Sequence, residues 1–179
     1  MQNISRLLAA TGLALLPQWA VAQEAKSPTP ADGYTVHVSA PHVLHGKVMG
    51  PFHHYCKVMK ADPVIVCLIY DSTDPNGMLT QVEYIIAKKL TRPAVTLQNW
   101  NTYWHDHAEE IATGRVKVHD LPPDKAKEVA DLVATTDGII FGIDMNGDLP
   151  TGRVTHAQAV GHKPMKQAEY EKSKGGTKP

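Results

Sequence analysis

His53, His54 and Cys56 stand within four residues of one another, and imidazole and thiolate are the side chains that bind zinc, copper or iron. On an extended strand His54 and Cys56 project to one face and His53 to the other, so at most two of them meet one ion unless the strand bulges. A second signal is Trp104-His105-Asp106-His107, whose i, i+2 histidines share one strand face while Asp106 points away. If that strand lies beside the His54 face, then His54, His105 and His107 form a three-histidine set. Glu83 or Glu109 would complete it or orient a ring. Zinc or copper suits such donors. A packing role stands beside this reading, because histidines near strands also hydrogen-bond carbonyls or fill half-polar positions. The chain carries ten histidines, and His37, His42, His45, His53 and His54 crowd one stretch, so the pattern counts for more than any member.

The two cysteines, Cys56 and Cys67, flank a hairpin turn symmetrically, opposite one another if Lys60 pairs with Pro63. A cross-strand disulfide is expected in an oxidising compartment, and it would withdraw Cys56 from any metal shell; a thiolate-ligand role for Cys56 is the competing reading. Other chemistries lack their parts. There is no G-x-S-x-G, no Gly-rich phosphate loop and no H-E-x-x-H helix, and Ser72 in a loop is a nucleophile only by chance pairing with a histidine.

The elements that must position these groups read as a small α+β domain, a mostly antiparallel sheet with one or two packed helices. Tyr34 to Val38 alternates as a strand, Phe52 to Met59 is a mixed segment, and Val64 to Tyr70 is a continuous apolar run bounded by Lys60-Ala61-Asp62-Pro63 turn chemistry. Asn76-Gly77 marks the next turn, and Leu79 to Ala87 supplies a third strand with Val82, Tyr84 and Ile86 on one face. Arg92 to Asn101 is ambiguous, with Pro93 a candidate helix start. Pro123 to Thr135 is an amphipathic helix, with Pro at N1 and Ala126, Val129, Ala130 and Val133 on one side. Asp137-Gly138 breaks it, and Ile139 to Ile143 returns as a strand.

Residues 1–22 read as a secretory signal peptide. Arg6 precedes the apolar Leu7–Leu16 run, and Ala20-Val21-Ala22 is a cleavage site; the run is too short to span a bilayer. Residues 23–33 are a Pro- and Ser-containing flexible linker, the domain occupies 34–152, and the polar stretch 153–179 is expected to be a disordered tail. A periplasmic or secreted protein follows, with no transmembrane segment after cleavage. The 18 basic and 18 acidic side chains balance, which leaves no field to attract nucleic acid or anionic lipid.

Four motifs in order, His53-His54-Tyr55-Cys56, Cys67-Leu68-Ile69-Tyr70-Asp71-Ser72, Val82-Glu83-Tyr84-Ile85-Ile86 and Trp104-His105-Asp106-His107 with Glu110, resemble the oil body-associated protein family. The resemblance covers about Val38 to Gly114 and extends to His42 and to Gly147–Gly152. It departs at Ile140-Phe141-Gly142-Ile143, where members carry a Trp-His-x-Trp strand. Intracellular members imply a ligand or core role for Cys56 and Cys67. The family name implies lipid-surface association, yet no long amphipathic helix, basic face or extended apolar stretch follows the signal. Two functions are therefore expected to compete. One is a transition-metal protein with His54, His105 and His107 as ligands and His53, Cys56 and Glu83 as further candidates. The other is a non-enzymatic interaction or lipid-surface module, with a protein or lipid partner, in which the histidines are structural.

Overall fold

Strand β4 (Leu79–Ala87) buries the opposite face from the one its hydrophobicity suggests. Gln81, Glu83 and Ile85 point inward, and Tyr84, on the more apolar stripe with Val82 and Ile86, is exposed. A strand turned polar side in departs from ordinary patterning, and such departures mark functional sites. The computed structural model describes residues 29–175. The signal peptide and most of the linker expected at the N-terminus lie outside them.

Around β4 the strands are β1 (Val36–Leu44), β2 (Lys47–Lys60), β3 (Val64–Tyr70), β5 (Trp104–Asp106), β6 (Lys117–Val118), β7 (Thr136–Asn146) and β8 (Leu149–Ala159). All pairings are antiparallel, in the order β2-β3-β4-β7-β8-β1-β6, with β5 added to β7. Because β1 also pairs along its length with β2, six strands close into a ring, which removes the open edges that a flat sheet would expose. From His53 opposite Tyr70 to Val58 opposite Ile65 the β2–β3 hairpin has the expected register, with Cys56 opposite Cys67, but a shift after Val58 pairs Lys60 with Val64 rather than with Pro63. The interior is filled at one end by Val38, Phe52, Ile65, Ile69, Ile85 and Ile140. Cys56 and Cys67 form a disulfide in that core, so Cys56 has no thiolate to offer a metal.

Five helices lie among the described residues, more than the one or two expected: α1 (Lys88–Ala94), α2 (Leu97–Tyr103), α3 (His107–Ala112), α4 (Pro123–Val133) and α5 (Gln167–Gly175). Four are nine residues or shorter, too brief to display a helical period. Pro93 sits inside α1 rather than starting a helix. Asp137 and Gly138, expected to form a break, are buried residues of β7. The expected tail from residue 153 carries the rest of β8, with Ala157 and Ala159 buried, and then α5, anchored by Tyr170. Its core contribution is two alanines and one tyrosine, a composition that reads as polar. Tyr170 is fully buried and donates its hydroxyl to the carbonyls of Arg92 and Val95.

Candidate metal centre

Strand parity brings His42 of β1, His54 of β2 and Glu83 of β4 onto the inner wall, and the β5–α3 junction brings His105 and His107 to the same place. All are buried. His105 Nε2 lies 3.1 Å and His107 Nε2 3.2 Å from Glu83 Oε1, and His54 Nε2 lies 3.6 Å from Glu83 Oε2. His42 Nε2 is 3.1 Å from His54 Nε2. Donor atoms of Glu83, His105 and His107 all fall within 4.8 Å of one another. Ligands held at bond lengths of about 2.1 Å on one tetrahedral ion are separated by roughly 3.4 Å, a separation that lies inside the 4.8 Å limit on these three donors.

The far side of each ring sets its tautomer. His54 Nδ1 meets the Phe52 carbonyl at 3.2 Å, and a carbonyl only accepts, so Nδ1 carries the proton. Thr136 donates its hydroxyl to Val133 O, which leaves its oxygen to accept from His107 Nδ1 at 3.0 Å. Gln81 Oε1 accepts from His42 Nδ1 at 2.7 Å. In the neutral rings, the Nε2 lone pairs of His42, His54 and His107 consequently converge on the centre. Metal-binding histidines are oriented through their outer nitrogen in this way. His105 Nδ1 is buried and meets no hydrogen-bond partner among the described residues.

The electrostatics agree with a site built for positive charge. Burial alone would raise the Glu83 carboxyl, but hydrogen bonds and charge from His105 and His107 hold it well below the ordinary carboxylate range. Burial likewise opposes the His107 imidazolium, yet Glu83 overcomes it and raises that ring. Desolvation, with His54 adjacent, pushes His42 down to about 3, and desolvation also lowers His54. Glu110, also buried, has its Oε2 3.8 Å from His105 Nε2 and is raised by burial, opposed by His105 and His107.

Two features keep the centre in place. Gly138 lies against it, and a Cβ there would run into the Glu83 carboxylate and the His105 ring. Asp106 points away from its neighbouring histidines, as the i, i+2 pattern predicts. It accepts from Arg92 at 3.1 Å, pairs with Lys88 at 2.6 Å and caps α3 through Ala108 N at 2.8 Å. Arg92 is itself held by both oxygens of Asp137, at 2.7 and 2.5 Å, and lies over the Trp100 ring.

Of the sequence candidates, His54, Glu83, His105 and His107 come together. Cys56 is in the disulfide. His53 is on the outer wall, where its Nδ1 is 3.0 Å from His37 Nε2, and the His119 ring stacks on His37. Glu109 faces Arg115 and Lys163 instead. Ser72 stays in the β3–β4 loop beside Gly77. The ligand candidates drawn from residue types omitted His42 and Glu110, and Gln81, Thr136 and Gly138 were missed altogether. A signal existed for Gln81, which alternates with Glu83 on a strand whose other stripe is apolar.

Fold and site together define an α+β protein, a closed antiparallel barrel around a buried histidine–carboxylate cluster. Residues 28–174 match the family described as "Protein of unknown function (DUF1264)", and the chain belongs to that family. It is 31% identical over 127 residues to oil body-associated protein 1B of Arabidopsis thaliana, covering 65% of this chain and 51% of that protein. It is 30% identical over 105 residues to oil body-associated protein 2A of Zea mays, covering 56% and 40% respectively. The chain thus spans about half the length, or less, of the curated relatives it matches. No solved structure matches it. Phe141, in the segment that departs from the resemblance, is 37% exposed, with its ring against Tyr84 and His156, and is not among the residues of the cluster.

Proposed function

We propose that this chain is an exported protein that binds one transition-metal ion, zinc or copper, through Glu83, His105, His107 and His54, with His42 beside them. The observation that carries the reading is the fixed outer nitrogens of His54 and His107, which aim their inner nitrogens at a buried carboxylate. Without a cation, this arrangement must hold protons on buried rings to balance Glu83; a divalent ion balances it directly. A bound zinc or copper would supply Lewis acidity to a coordinated ligand. Glu110 would stand beside it, with Oε2 3.8 Å from His105 Nε2. The Cys56–Cys67 disulfide supports export, since such bonds persist mainly outside the reducing cytosol. Among the described residues, no helix is long and apolar enough to cross a membrane.

A second reading, an interaction or surface-associated module, draws on the exposed apolar residues Tyr84, Phe141, Ile143 and Val154 and on the oil-body names of the relatives. Metal content separates the two. On protein purified without a His tag or chelator, mass spectrometry is expected to find close to one zinc or copper per chain, lost in a His105→Ala/His107→Ala variant. No metal in either, even after reconstitution, would reject the metal reading and leave the module.

A further inference from the structure

Above the cluster the interior opens into a narrow cavity of about 80 Å³ that continues outward to solvent. Its polar lining is confined to the histidine–glutamate floor. The walls are aliphatic, with Val38, Ile65 and Ile85 on the barrel side, Val118 at the flank, and Val129 and Val133 on α4 opposite. Helix α4 is amphipathic, yet none of its residues is fully buried, so its apolar face looks into the cavity instead of sealing against the barrel. Val58 and Leu132, both lining residues, are 53% and 41% exposed.

Walls without a hydrogen-bonding group accept only apolar matter, because a polar atom placed there would lose its water and gain no partner. Branched aliphatic side chains, with no aromatic ring among them, suit a flexible hydrocarbon. We propose that the cavity binds an aliphatic molecule with a single polar end group, its chain between the barrel wall and α4 and its end group at the floor. The end-group half rests on the proposed metal centre; the chain-binding half does not.

The test is calorimetric titration of 1-octanol and of octanoate into zinc-loaded and metal-free protein, alongside Ala130→Trp. That variant narrows the cavity from the α4 side, with circular dichroism to verify its fold. The expected result is one molecule bound per chain, octanoate at least tenfold tighter with zinc, and both ligands weakened at least tenfold by Ala130→Trp. Octanol needs only the walls, so its binding to metal-free protein distinguishes a failed metal centre from a failed cavity. Absence of binding by either ligand, or binding unchanged in Ala130→Trp, would overturn the proposal.

Discussion

A buried ring such as His42 carries a pH signature. Its folded value is about 3 against 6.5 when unfolded, so above pH 6.5 it contributes no pH dependence. Between 6.5 and 3 the unfolded chain takes up a proton that the folded chain refuses, and stability falls as pH falls, by roughly 1 kcal/mol per pH unit for one such ring. His54, lowered by the same burial, acts in the same direction, while His107, raised, opposes above pH 6.5 and Glu110, raised, opposes toward its own lower range. Urea unfolding of metal-free protein should therefore show stability dropping from pH 6.5 to pH 5; a flat or rising profile there would mean these rings are not buried and neutral. The principal donors were legible because strand parity is short-range: His54 opposite in face to His53, and His105 paired with His107. Gln81 was legible only as a polar residue on the Glu83 stripe and Thr136 not at all, since the role of each comes from the ring nitrogen it satisfies, and that contact joins residues 39 and 29 apart in sequence.

At the scale of elements, the β5–α3 junction matters most, because three residues of strand and the first residue of a helix deliver two of the donors. Its anchor is the chain from Asp137 through Arg92 to Asp106, with Asp137 and Arg92 both buried. Asp137→Ala leaves the guanidinium buried beside only the partly exposed Asp106, and removing one partner of a buried pair costs about 3–5 kcal/mol. Denaturant unfolding should register that loss together with reduced metal content, and a cost below about 1 kcal/mol would show that the junction is held by something else. The strands β3 and β4 match their sequence-derived bounds because turn residues and apolar runs mark both ends. The short helices and β8 escaped, since their positions are fixed by single tertiary anchors such as Tyr170 and Trp100 rather than by any periodic stripe.

For the molecule as a whole, closure of the barrel gives the chemistry its surroundings. Pairing of β1 with both β2 and β8 makes the inner face an interior, and only there can two carboxylates and four imidazoles be kept from water together. That closure was not readable from the sequence, because it rests on pairs such as His42 with Ala159, more than a hundred residues apart, and no local pattern encodes them. The α+β class and the antiparallel meander were readable; the ring, and the cavity under α4, follow from the long-range pairing. The central claim is that this interior holds an ion, and the most direct measurement is anomalous X-ray scattering from crystals grown with zinc or copper. The account predicts one strong peak at roughly 2.0–2.3 Å from Glu83 Oε1, His105 Nε2 and His107 Nε2, within the bond lengths such ligands form. Density that stays empty there, or a peak only on the outer His37–His53 pair, would contradict it.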